Sequence, residues 1–279
     1  MNAVTAPNRF VTSRGRTLAY RSIGTGQPIV LCNRFRGNLD SWDPLFLDSL
    51  AAHGLRAITF DYTGLGLSTG TPTYDPAALA QDAHDLIHAL DLGTVVLAGW
   101  SLGGIAAQIG LATYPELITS LILLGTVPPG PMVKMSEQIF YDLSTKPEND
   151  FEDEVALFFE PADPTSRQSA RHSWERLTAR TQHRSIPVPG PWAAAQIDSE
   201  PRNPVFSAPA VLDMLRTTHT PILHIAGDHD IMFPVENWYA LNQQLPTLQL
   251  ITYPRAGHGP HQQHPRASAA HIGAFLTSP

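Results

Sequence analysis

A chain of 279 residues can hold one large domain or a core carrying an inserted module. Hydrophobic residues at 43% and charged residues at 15% exclude the disordered and fibrous classes. A formal net charge of −7, from 18 basic against 25 acidic residues, argues against a nucleic-acid partner, because no basic run could neutralise phosphates.

Short apolar runs alternate with longer helical patterns, which predicts an α/β protein with a mostly parallel sheet. FVTSRGRTLAYRSIGTG reads as an opening hairpin closed by Arg14 and Gly15. PIVLCNRF is a buried strand, and SWDPLFLDSLAAHG a helix stopped by Gly54. LRAITFDY is the next strand and ends in the turn TGLGLST. In DPAALAQDAHDLIHALDLG, Leu79, Ala83, Leu86, Ile87 and Leu90 fall at helical spacing before Gly93. TVVLAGW is a strand, SLGGIAAQIGLATYP a helix and ITSLILLGTVP another strand.

The rhythm then breaks. Twelve of the 25 prolines lie between Pro128 and Pro209, among helical patches rich in aromatics and without a β-branched run. We expect a helical lid at 129–213, inserted into a core of 1–128 and 214–279. After it PILHIAGDHD and LQLITYPRAGHG read as strands, and VENWYALNQQLP and PRASAAHIGAFLTSP as helices. The lone cysteine, Cys32, excludes a disulfide framework and suits the reducing cytoplasm, the expected location. With no apolar signal region and no run of about 18 apolar residues, neither secretion nor membrane contact is expected.

Gly99-Trp100-Ser101-Leu102-Gly103 matches G-x-S-x-G, with a strand before it and a helix after it. Small residues on either side let the chain bend sharply and hold the Ser101 hydroxyl above the sheet, at a helix N-terminus that favours developing negative charge. A serine hydroxyl needs a base, and the base needs an orienting group. Later strand ends supply both: Asp228 or Asp230 in GDHD, and His258 in RAGHG, flanked by Gly257 and Gly259. His261 and His264 follow closely, but without a Cys or carboxylate to complete a tetrahedral set a metal is not expected. Both are expected on a solvated surface.

Over nearly its whole length the chain resembles the α/β-hydrolase superfamily, and most of all its lidded esterases, lactonases, carbon–carbon bond hydrolases and cofactor-free haloperoxidases. The fold this implies is a mostly parallel sheet of about eight strands flanked by helices. The family's G-x-x-D-x-x-x-P at the acid strand is matched by Gly227, Asp230 and Pro234, so the resemblance selects Asp230 over Asp228. DYTGLGLST resembles the family's D-x-x-G-x-G-x-S turn, with Asp61, Gly64, Gly66 and Ser68 in place, and implies a bracing role. The oxyanion donors are expected to be the backbone N–H groups of Leu102 and Phe35.

The loop supplying Phe35 departs from the family: Asn33 and Arg34 stand where relatives carry His-Gly. Arg34 and Arg36 leave two readings open. A guanidinium at the pocket floor could pair with a substrate carboxylate or support the oxyanion, or both could point outward to surface ion pairs. Trp100, Phe158, Phe159 and Trp174 are candidate substrate contacts. The expected reaction is hydrolysis of a medium-sized hydrophobic ester or lactone through an acyl-enzyme, with Ser101, Asp230 and His258 as triad and no cofactor or metal. Carbon–carbon bond hydrolysis and haloperoxidase-type peracid formation are the enzymatic alternatives, and a small-molecule receptor is the alternative of another class.

Overall fold

The computed structural model describes residues 2–197, 206 and 208–277. Its centre is one sheet of eight strands: β1 (Arg9–Ser13), β2 (Arg16–Ile23), β3 (Gln27–Cys32), β4 (Leu55–Phe60), β5 (Val95–Trp100), β6 (Ile118–Leu124), β7 (Ile222–Gly227) and β8 (Leu248–Tyr253). They lie side by side in the order β1-β2-β4-β3-β5-β6-β7-β8. β1 and β2 form an antiparallel hairpin at one edge, closed by Arg14 (φ 47°) and Gly15 (φ 75°). Two positive φ angles give a two-residue turn whose twist matches that of the strands. β2 meets β4 antiparallel, and every pair from β4 to β8 is parallel.

Both faces of the parallel part are covered, which explains the unbroken apolar runs: all six residues of β5 and of β7 are buried. Successive side chains leave opposite faces. Ile29 and Leu31 of β3 join one apolar cluster with Phe46, Leu47 and Leu50 of helix α1 (Pro44–Ala52). Val30 and Cys32 join the other, with Leu79, Ala83 and Leu86 of α2 (Pro76–Ala89) and Leu111 of α3 (Leu102–Thr113). α1 and α2 start at an Asp-Pro pair, in which the carboxylate of Asp43 or Asp75 caps the helix and proline takes the first turn.

Between β6 and β7 run α4 (Gln138–Ser144), α5 (Phe151–Phe158), α6 (Pro164–Thr178), α7 (Gly190–Ala194) and α8 (Pro209–Thr217), with no strand among the described residues. Residues 198–205 and 207 of the expected insertion lie outside those described. The expected boundary at 213/214 falls within α8, whose buried Val211, Leu212 and Leu215 pack into the clusters of the sheet. After β7 come α9 (Glu236–Tyr239), α10 (Pro260–Gln263) and α11 (Pro265–Thr277). α9 is shorter than the sequence suggests; turns follow it through Gln243 (φ 66°).

Strand order reverses at β3, which has β4 on one side and β5 on the other. The loops leaving β3 and β5 therefore diverge and open a crevice at the C-terminal edge of the sheet. β7 and β8, parallel to β5, end at that same edge.

Candidate active site

Ser101 follows β5 and precedes α3, with φ 58° and ψ −123°. A non-glycine residue in that region carries backbone strain, which the surroundings must hold. They do so from three sides: Ser101 N–H donates to the Leu124 carbonyl at 3.0 Å, while the Ser101 carbonyl accepts from Thr126 Oγ1 at 2.7 Å and Gly104 N–H at 2.8 Å. The flanking glycines are sterically required. A Cβ on Gly99 would stand 2.1 Å from the Gly103 carbonyl oxygen, and one on Gly103 would stand 2.1 Å from that of Cys32.

Asp230 lies beyond β7 and His258 beyond β8. His258 Nε2 is 2.8 Å from Ser101 Oγ, and its Nδ1 is 2.8 Å from Asp230 Oδ2. Asp230 Oδ1 accepts the N–H groups of Met232 and Phe233, both at 2.8 Å. Burial opposes charge on this carboxyl, but the adjacent His258 imidazole and the two amides hold it below the usual carboxylate range. All three side chains are buried. Asp228 is exposed and accepts only a long bond from Ala256 N–H, 3.5 Å, in the turn. Trp100 Nε1 donates to the His258 carbonyl at 2.8 Å, fixing the strand end that carries the imidazole.

Two cavities meet at Ser101. One, of about 320 Å³, is mostly apolar and is lined by Phe35, Leu102, Ile105, Phe140, Phe206 and Phe233. The other, of about 560 Å³, has His258, Arg34, Arg36, Glu154, Phe158 and Trp174 in its wall. Phe35 and Leu102 thus flank Ser101, with the loop after β3 lying directly on the elbow. Phe158 and Trp174 reach the second cavity.

The other two aromatic candidates do not reach a cavity at Ser101. Trp100 is fully buried, its ring 5.9 Å from Trp42 and 5.3 Å from Phe158. Phe159 ends α5 and is buried in the seam against α6, its backbone pressed on Gly257. Adjacent residues on a helix cannot share a face, and Phe158 takes the one toward the site.

Among the described residues neither arginine makes the outward ion pair that was one of its readings. Arg36 has φ 57° and spans to the α4–α5 connection, where Nη1 donates to the carbonyls of Ser144 (3.2 Å) and Lys146 (2.6 Å) and Nη2 to that of Pro147 (2.8 Å). Its donors thus tie the loop after β3 to the α4–α5 connection, at the wall of the larger cavity. Arg34 turns inward: its guanidinium carbon lies 4.6 Å from the Phe158 ring centroid and 5.1 Å from that of Trp100. Asn33 is fully buried, its Nδ2 donating to the Phe60 carbonyl at 2.7 Å, so its side chain ties the ends of β3 and β4 together.

His261 overturns the expectation of a solvated surface. It is fully buried on α10, with ring centroids 4.5 Å from Trp100, 5.1 Å from Phe46 and 5.4 Å from Trp42. Burial pushes its pKa down to about 3, and neither ring nitrogen has a partner among the described residues. Pro260 after Gly259, a helix-start signal, was the sequence clue to α10. His264 is half-buried beside Tyr253, ring centroids 4.4 Å apart. Asp61 accepts from Leu39 N–H, Leu67 N–H and the Ser185 hydroxyl, joining three loops; burial nevertheless pushes its carboxyl up to about 6.

Among the described residues no group of histidine, cysteine or carboxylate side chains is arranged to hold a metal ion, and no helix is long and apolar enough to cross a membrane.

Comparison with known proteins agrees with this architecture. A solved alpha/beta hydrolase fold protein from Chitinophaga pinensis is 29% identical and covers 100% of both chains with a TM-score of 0.85. The "Putative non-heme bromoperoxidase BpoC" of Mycobacterium tuberculosis is 27% identical over 94% of this chain and 98% of its own. The esterase EaEST from Exiguobacterium antarcticum, at 21% identity, shares the fold, with a TM-score of 0.73 over 98% of this chain and 100% of its own. The family model for the alpha/beta hydrolase fold matches residues 27–265, and with that match across most of its length the chain belongs to the alpha/beta hydrolase fold family.

Proposed function

We propose that the protein is a serine hydrolase that cleaves a medium-sized hydrophobic carboxylic ester or lactone. The observation that carries the reading is the unbroken relay Asp230–His258–Ser101, with both links at 2.8 Å and Ser101 opening on an apolar cavity.

His258 takes the Ser101 proton as Oγ attacks the carbonyl, and Asp230 holds the imidazole in the tautomer that leaves Nε2 free to accept. The N–H groups of Phe35 and Leu102 receive the tetrahedral oxyanion. His258 then gives its proton to the leaving oxygen, the C–O bond breaks and an acyl group stays on Ser101. Water activated by the same imidazole releases the acid and restores Ser101. The helices between β6 and β7 act as a lid that encloses this chemistry, anchored by Arg36 and by the Asp43–Arg176 pair at 2.7 Å.

Reaction with a fluorophosphonate, read by intact mass, is expected to add one label to the wild type and none to Ser101→Ala. An ester and lactone chain-length series should then peak at acyl groups that fit about 320 Å³. Labelling that persists in Ser101→Ala would remove the nucleophile. One further observation favours a second reading, peracid formation by the same triad: the Mycobacterium relative bears a non-heme bromoperoxidase name. Halogenation of a reporter dye with acetate, peroxide and bromide, exceeding ester turnover, would select it.

A further inference from the structure

We infer that Arg34 is a substrate-binding residue for a carboxylate on the leaving group, so that the preferred substrates are apolar acyl esters of hydroxy acids. This rests on the hydrolase reading and says which half of the ester enters which cavity.

The side of the leaving group follows from the imidazole. His258 must deliver its proton to the departing oxygen, and His258 lies in the wall of the larger cavity and not of the smaller. The acyl chain therefore occupies the apolar cavity among Ile105, Phe140 and Phe233, and the alcohol half enters the cavity that Arg34 borders.

Arg34 is poised for an anion there. Among the described residues its guanidinium makes one hydrogen bond, from Nη1 to the Phe35 carbonyl at 2.8 Å, while Nε is buried without a partner. The rings of Phe158 and Trp100 hold the group in place. The donors left at its edge suit the two oxygens of a carboxylate, which a guanidinium engages as a fork. Desolvation and the neighbouring Arg36 disfavour this cation more than the distant Glu154 favours it, so an anion brought against it would be stabilising. Glu154 shares this cavity and its charge acts on Arg34 from a distance, but no hydrogen bond or contact ion pair joins the two among the described residues. Burial pushes its carboxyl up, toward the neutral acid.

Four aryl esters test the assignment: 3-(butanoyloxy)benzoate, its neutral amide 3-(butanoyloxy)benzamide, phenyl hydrogen glutarate, which carries the anion on the acyl side, and its neutral counterpart phenyl pentanoate. The wild type should favour the benzoate over the benzamide about 10–100-fold in kcat/KM, the worth of a charge-assisted hydrogen-bond pair. The glutarate should show no such gain over phenyl pentanoate. Arg34→Met should lower kcat/KM for the benzoate more than for the benzamide and bring their ratio close to one, with Arg34→Lys intermediate because an ammonium lacks the fork. If Arg34→Met does not fold, product inhibition of the wild type decides, with 3-hydroxybenzoate expected to inhibit phenyl butanoate turnover more strongly than 3-hydroxybenzamide. Equal turnover of benzoate and benzamide, a preference for the glutarate, or equal losses on both esters in Arg34→Met would overturn it while leaving the hydrolase reading intact. Failure of every ester would overturn the hydrolase reading instead. Calorimetric binding of 3-hydroxybenzoate to Ser101→Ala would still report on the Arg34 subsite.

Discussion

In the proposed mechanism Asp230 acts on Ser101 without touching it. One of its oxygens faces His258 Nδ1 and the other is held by two backbone N–H groups, so the carboxylate can neither rotate nor take up a proton easily. In Asp230→Asn, a side-chain amide turned to donate to Nδ1 would move the ring proton to Nε2, where it could no longer accept from Ser101. We expect kcat/KM to fall about 10³–10⁴-fold with the fold retained, the loss known for a misoriented triad histidine. The checks are the rate of fluorophosphonate labelling and the melting temperature of the variant. A loss under about tenfold would mean that another group orients the imidazole. The sequence could propose this relay because each part is spelled locally: glycines that a sharp turn demands, and a carboxylate and a histidine just past β-rich runs. Parallel strands carry the three ends to one edge. It could not reveal where Arg34 or Arg36 points. Their partners, Phe158 and the carbonyls of Ser144 to Pro147, lie more than a hundred residues away, on α5 and at the α4–α5 connection, with no counterpart pattern near β3.

At the scale of elements, the junction between α1 and α6 decides how the inserted helices sit. Asp43 caps α1 by accepting Leu45 N–H at 2.9 Å, and also takes Arg176 Nη2 at 2.7 Å and the Ser173 hydroxyl at 2.8 Å from α6. The cap was readable from Asp-Pro before an apolar run; the bond to α6 was not, because Arg176 belongs to a polar helix whose exposed face looks like any other. The carboxylate is fully buried whereas Arg176 keeps some exposure, so the two ends of the pair do not carry equal cost. Asp43→Ala removes the cap and leaves Ser173 and Arg176 without their acceptor, the latter able to reach water. We expect about 2–4 kcal/mol of lost stability by urea denaturation, the sum of a helix cap and a half-buried ion pair. Hydrogen exchange should speed in α6 before it does in β5. Uniform acceleration across both would show that the helix is not a separately anchored layer. Short elements were the least readable: α9 and α10 span one turn each, too little for periodicity to register.

Across the whole molecule, buried histidines and buried carboxyls pull in opposite directions as stability answers to acid. His224 lies on β7 and His261 on α10, both fully buried, and burial pushes each pKa from the ordinary 6.5 down to about 3. As pH falls below 6.5 the unfolded chain binds protons that the folded protein refuses, so the stability these residues lend is complete above 6.5 and drains away toward pH 3. Asp61 works the other way. Its carboxyl, pushed up to about 6 from 3.8, keeps a proton in the folded state that the unfolded chain has released, which favours folding as pH falls between those values. Between pH 6 and 4 the loss from the histidines is offset in part by Asp61 and by Glu154, whose carboxyl burial also raises, before depressed carboxylates such as Asp230 add their own loss below that range. His261→Phe suits the cage of Trp42, Phe46 and Trp100 and removes two buried nitrogens that lack partners. It should raise stability at neutral pH and, by removing one group that only the unfolded chain protonates, make stability fall less steeply between pH 6 and 4. Urea midpoints measured across pH 4–8 for both proteins read this directly. A variant with the slope of the wild type would mean that His261 already takes up its proton in the folded state, and that the aromatic cage is open to water.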